Sequence, residues 1–124
     1  MHLIDGTYEL FRHYFALPSA KDAAGREVAA VRGVVHSMLA MITAGARYVG
    51  VATDHVIESF RNDLWPGYKT SAGVERALLA QFHPLEDALA AMGVAVWPMV
   101  ELEADDALAS AARIAHDDEH VDKI

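Results

Sequence analysis

The 124-residue chain contains no cysteine, which excludes a disulfide scaffold, a thiolate zinc site and a cysteine nucleophile. No apolar run approaches the roughly 20 residues needed to cross a bilayer. The opening apolar stretch Met1–Ile4 is too short for the core of a signal peptide. Glycine-rich phosphate loops are also missing, since Gly6, Gly25 and Gly33 fit neither the dinucleotide nor the P-loop spacing. Ser37, Ser59 and Ser71 stand in no nucleophile-elbow pattern, and no serine triad is supported. The seven histidines include no pair at metal-ligand spacing on a helix. Positive charge is scarce, with Lys+Arg 10 against Asp+Glu 18 and a net charge of −8. The chain as a whole therefore has no pull toward nucleic acid or an anionic membrane, and any such contact must come from a local basic surface or through bound cations. These absences lead us to expect a soluble cytoplasmic protein without a membrane partner.

What is present is globular: 53% hydrophobic residues, much of it alanine, and 23% charged. The length suits one domain or part of one. Apolar stretches and helical periodicities alternate. Met1–Ile4 reads as a strand ending at Asp5-Gly6, and Ser19–Gly25 as a polar loop. Val31, Val34, Val35, Met38 and Ile42 recur at helical spacing, with Gly45 placed as a left-handed cap. Tyr48–Thr53 reads as a buried strand ending at Asp54, followed by a loop around Trp65-Pro66-Gly67-Tyr68. Val74, Leu78, Leu79, Phe82, Leu85, Leu89 and Met92 mark a second helical face. Pro84 predicts a kink there or two successive helices, and Gly93 an end. Val94–Met99 is a third strand whose Pro98 points to a sheet edge. Ala104, Ala107, Leu108, Ala111 and Ile114 form a third helical face, and Val121 and Ile124 look like the start of a fourth strand. This order predicts an α/β fold, a Rossmann-like three-layer parallel sheet with helices on both faces. Because the alternation stops mid-stride, we expect residues 1–124 to be the N-terminal part of a longer domain.

Open parallel sheets bind ligands at the carboxyl ends of their strands. Here each predicted strand runs into acid: Asp5 after the first, Asp54 after the second, and Glu101, Glu103, Asp105 and Asp106 after the third. Each has a plainer reading by itself. Asp5-Gly6 suits a turn, Asp54 a cap, and Asp105 and Asp106 the acid-favouring first turn of a helix. The repetition at three strand ends is what favours a ligand site. Crowded carboxylates raise each other's pKa unless a cation neutralises them. Hard oxygen donors select Mg²⁺ or Mn²⁺, the usual equipment of phosphodiester and phosphoryl chemistry. His55, beside Asp54, suits a surface or packing role, and Phe60, Trp65, Phe82 and Trp97 suit core or loop anchors better than base-stacking platforms.

Four segments, in order, carry a resemblance to a known family. They are Leu3-Ile4-Asp5-Gly6-Thr7 with Leu10-Phe11-Arg12; Val51-Ala52-Thr53-Asp54; Phe60-Arg61-Asn62-Asp63-Leu64 with Tyr68-Lys69; and Glu103-Ala104-Asp105-Asp106-Ala107-Leu108. Together they resemble the 5′–3′ exonucleases and flap endonucleases, which have a PIN-like fold and include the N-terminal domain of bacterial DNA polymerase I. Phe60–Lys69 with Leu79–Phe82 is similar to stand-alone actinobacterial members. The resemblance implies a divalent-metal-dependent hydrolase of DNA phosphodiesters, acting at a 5′ end or 5′ flap, with two Mg²⁺ or Mn²⁺ ions in the complete domain. It implies metal ligation by Asp5, Asp54, Glu103, Asp105 and Asp106. It implies catalytic roles for Asp5 and Asp106 with Lys69 and Arg61 over the scissile phosphate, and DNA contacts by Arg12, Tyr68, Lys69 and Arg76. Two departures stand out. Thr70-Ser71-Ala72-Gly73 follows Lys69 where the family commonly has another arginine, leaving only Arg76. The family's later aspartate pair and helical DNA-binding element would both fall beyond Ile124. A compact PIN-type ribonuclease shares strand-end carboxylates, but Tyr68-Lys69 between the second and third acidic groups argues against it. A receiver domain carries its acidic pair after the first strand, not the third. A non-catalytic DNA-binding module stays open.

Overall fold

A computed structural model describes all of residues 1–124. Its three strands are β1 (His2–Asp5), β2 (Val49–Asp54) and β3 (Ala95–Met99). They are parallel in the order β1-β2-β3, with Asp5 opposite Ala52 and Asp54 opposite Met99. Helices α1 (Gly6–Ala16) and α2 (Ala29–Thr43) make the first crossover. The second contains α3 (Arg61–Leu64), α4 (Arg76–Leu79) and α5 (Phe82–Ala91), and α6 (Ala104–His116) follows β3. α1 and α5 pack on one face of the sheet with α2 against them, while α6 lies across all three strands on the other. The predicted three-layer parallel architecture is therefore present, with β3 and its Pro98 at an edge.

The alternation along β2 shows how both faces are used. Val51 is fully buried in a core with Leu10, Val34, Met38, Leu85 and Leu89, whereas Ala52 and Asp54 face the α6 side. Burial on both faces is what a central parallel strand requires. Leu10, Leu85 and Leu89 are each at most 1% exposed, so each contributes on the order of 2 kcal/mol of hydrophobic stabilisation. Gly6 opens α1 hard against β2: a Cβ there would lie 2.7 Å from Val51 Cγ1 and 2.8 Å from Thr53 Cγ2. A side chain of any size at position 6 would push α1, and Asp5 with it, off the sheet.

Three details differ from the sequence expectations. The break in the second helical face falls at Ala80-Gln81, not at Pro84, which occupies the third position of α5. The first turn of a helix has no intrahelical acceptors for its N–H groups, so a proline there forfeits nothing. Gln81 fills the break: its buried side chain donates to the Ala77 carbonyl and accepts the Val31 N–H at 3.2 Å. Ile114 is 75% exposed, because the sheet-facing side of α6 is carried by small residues such as Ala104 and Ala115. Residues Val121 and Ile124 form no strand. The Asp118 carboxylate accepts the His120 N–H, and the Asp118 carbonyl accepts the Val121 N–H, which turns the chain before extended backbone can form.

Candidate metal and phosphate site

The carboxyl ends of the parallel strands gather the acids the sequence places there. Asp5 ends β1 and caps α1, its Oδ1 accepting the Tyr8 N–H at 2.8 Å. The Thr7 hydroxyl, one turn in, accepts the Asp54 N–H at 2.8 Å and ties the end of β2 to the start of α1. Asp54 reaches across to α6: its Oδ1 accepts the Ala104 N–H at 2.9 Å. Its Oδ2 accepts from Lys69 Nζ at 2.7 Å. Glu103 and Asp106 flank the start of α6, with Asp106 Oδ2 accepting the Glu103 N–H at 2.9 Å.

The segment after β2 supplies the positive charge. Arg61 grips Asp106 with two parallel bonds of 2.9 and 2.8 Å and lies 3.5 Å from Glu103 Oε1, its guanidinium over the Phe60 ring. Ser59 Oγ donates to Glu103 Oε1 at 2.5 Å, and the Tyr68 hydroxyl is 3.3 Å from Glu103 Oε2. The Arg61 fork holds the Asp106 carboxyl down to about 2, helped by the Glu103 N–H. Asp5 goes the other way. Burial raises its pKa, the Tyr8 N–H opposes that, and the nearby charges of Asp54 and Asp105 add to the rise. Burial pulls the Lys69 ammonium down, but the bond to Asp54 and the charges of Asp54 and Glu103 outweigh it, so its pKa ends above the ordinary value.

Of the residues singled out from sequence, Asp5, Asp54, Glu103, Asp105, Asp106, Arg61, Tyr68 and Lys69 therefore come together at one sheet edge. Asp5 shares only charge proximity with Asp54 and with exposed Asp105, not a bond. Three other residues stand apart. Arg12 is paired with Glu9 on α1, Arg76 is exposed on α4 without an ion pair, and Glu101 is exposed with only its carbonyl used, by the Phe60 N–H. Trp65 is not an anchor: it is 67% exposed, and Phe60 is 40% exposed. Sequence reasoning gave no role to Ser59 or Thr7, and it missed buried Glu86, which accepts from the Thr53 hydroxyl and contacts His55 Nδ1 at 2.7 Å. His55 stacks on His83 at 4.1 Å, which is the packing role expected for it. The adjacency of Thr7 to Asp5-Gly6 was the one available signal for it.

The donor set suits a hard dication. Every candidate ligand is a carboxylate, the oxygen donor such an ion prefers. No three acidic or imidazole side chains stand arranged to hold an ion; Asp54 is paired with Lys69 and Asp106 with Arg61.

These features define a parallel α/β domain with a cluster of acidic and basic side chains at the carboxyl edge of its sheet. The chain belongs to the family of the 5′–3′ exonuclease N-terminal resolvase-like domain, whose model matches residues 1–124. It is 32% identical over 117 residues to DNA polymerase I of Deinococcus radiodurans, covering 91% of this chain and 12% of that protein. It is 31% identical over 114 residues to the thermostable DNA polymerase I of Thermus aquaticus, covering 91% of this chain and 14% of that one. It thus spans a small fraction of the length of these relatives. Among solved structures, the T5 D15 protein co-crystallized with metal ions superposes with a TM-score of 0.58 at 24% identity, over 90% of this chain and 43% of that one. That likeness shows the shared fold.

Proposed function

We propose that this chain is the carboxylate-bearing part of a divalent-metal-dependent 5′ nuclease that hydrolyses DNA phosphodiesters at a 5′ end or 5′ flap. The observation that carries the reading is the gathering of Asp5, Asp54, Glu103 and Asp106 at the carboxyl ends of the three parallel strands, in a chain belonging to the exonuclease family. Asp5, Asp54, Glu103, Asp105 and Asp106 are the proposed ligands of Mg²⁺ or Mn²⁺. A dication bound there supplies an activated water and neutralises charge on a departing oxygen. The chain's own residues do the rest. Lys69 and Arg61 attract and orient the phosphate, and offset negative charge that grows on it during cleavage. Thr7 fixes the end of β2 against α1 and so sets the spacing of Asp54 from Asp5. Exposed Tyr68, Arg12 and Arg76 are proposed DNA contacts. The five carboxylates amount to one ion's ligands and part of a second set, so two-ion turnover requires further oxygen donors.

The test is a melting titration with Mn²⁺ alongside incision of 5′-labelled flap DNA. Binding at 100-fold over the dissociation constant stabilises by about 2.7 kcal/mol, a shift of several degrees that Asp54→Asn should remove. Melting unmoved by millimolar Mn²⁺, in a chain that also leaves flap DNA intact, would overturn the proposal.

A further inference from the structure

The stretch from Ser59 to Lys69 lies over the carboxylates as a strap with two unlike fastenings. At its N-terminal end Arg61 holds Asp106 by two bonds, and Ser59 holds Glu103 by a third. At its C-terminal end Lys69 Nζ donates to Asp54 Oδ2 at 2.7 Å, the Tyr68 hydroxyl lies 3.3 Å from Glu103 Oε2, and Ser71 just beyond donates to Glu58. Asn62 Nδ2 donates to the Lys69 carbonyl at 2.5 Å, so the two ends are tied to each other. The Asp54 side chain is 8% exposed, and its other oxygen is taken by the Ala104 N–H. A dication that uses Asp54 must therefore come to the oxygen that Lys69 holds, and a charge of +2 and one of +1 on one carboxylate oxygen repel strongly in so little water.

We propose that Lys69 is the resident counterion of Asp54, which a divalent metal must displace, so that metal loading frees the Lys69 ammonium while Arg61 stays anchored on Asp106. The inference rests on the metal-site reading given above. Lysine suits the role: its ammonium is a point charge on a flexible stem and leaves through a single bond, whereas the planar fork of Arg61 must lose two. The metal-free protein thereby avoids a bare carboxylate cluster. The loaded protein gains an unpaired ammonium at the same edge, turned from a carboxylate to whatever anion arrives.

Competition makes a prediction opposite to that of a merely supportive lysine. Mn²⁺ binding to the full chain is read from the loss of the free-ion electron paramagnetic resonance signal. Lys69→Met should tighten binding about tenfold, the scale of one lost ion pair. Lys69→Gln serves as the second variant, and circular dichroism checks that each is folded. Arg26→Met removes the same charge from a residue paired only with Asp22, and should leave affinity unchanged. Trp65, exposed within the strap, gives an independent readout in a Trp97→Phe background. Mg²⁺ should change its quenching by acrylamide in the otherwise native chain and leave it unchanged with Lys69→Met. Unchanged or weaker Mn²⁺ binding in both Lys69 variants, or equal tightening by Arg26→Met, overturns the inference. If Asp54→Asn still loses an ion in that case, the metal-site reading stands. If Asp54→Asn loses none, both fail.

Discussion

Replacing Asp106 by asparagine isolates the strongest ion pair of the site. The substitution keeps the shape and one acceptor oxygen for the Glu103 N–H, but removes the charge that Arg61 grips with two bonds. The magnitude follows from linkage. The Asp106 carboxyl falls from its ordinary value of 3.8 to about 2 in the folded chain. At about 1.4 kcal/mol for each tenfold change in proton affinity, that sets a ceiling of about 2 kcal/mol. The side chain is 27% exposed, and screening reduces the expected contribution to about 1–2 kcal/mol. The sign is fixed by the direction of the shift. Between the two pKa values the unfolded chain binds the proton and the folded chain does not, so stability falls as pH drops through that interval. The stabilisation is complete above the unfolded value of 3.8 and fades as pH falls toward about 2. Urea unfolding followed by circular dichroism from about pH 7 to about pH 3 measures both proteins. The other carboxylates titrate alike in each, so the difference between them reports position 106. The variant should be less stable by about 1–2 kcal/mol near neutrality, with the gap narrowing at the acid end. A gap that is constant with pH, or absent near neutrality, would refute the ion-pair account.

Asp5 carries the opposite sign. Its raised pKa means that the ionised carboxylate opposes folding at neutral pH in metal-free protein, and that this cost is relieved as pH falls through the raised value toward 3.8. Asn caps a helix as well as Asp, so Asp5→Asn should raise the metal-free melting temperature near neutrality while removing the further rise given by Mn²⁺. Gly6→Ala should destabilise by about 1–3 kcal/mol in urea unfolding, because its Cβ would meet Val51 and Thr53 in the wall of β2. Gln81→Leu should cost about 1–3 kcal/mol by the same measurement, because it strips the acceptor from the Val31 N–H in the first turn of α2.

What was legible in the sequence was short in range. The strands announced themselves as apolar runs ending in acid. α2 was marked by its periodicity and by Gly45, which takes φ +104° just beyond the helix. α1 went unmarked, because Asp5-Gly6-Thr7 reads as a turn and the helix opens on poor helix formers. The carboxylate edge followed from one topological rule applied to three strand ends, and so Asp5, Asp54 and Asp106 were within reach of reasoning from residues alone. Their partners were not. Arg61 meets Asp106 across 45 positions and Ser59 meets Glu103 across 44, and nothing periodic connects them. Glu86 was hidden on an otherwise apolar helical face, where its bond to the Thr53 hydroxyl compensates its burial. The resemblance alone supplied a meaning for Lys69 and Arg61, as groups facing a phosphate, whereas the structure has them facing carboxylates. The two descriptions agree if each cation serves two anions in turn. An ammonium that neutralises Asp54 before metal arrives and a phosphate afterwards explains why an acidic chain of net charge −8 places Lys69 and Arg61 among the acids of this sheet edge.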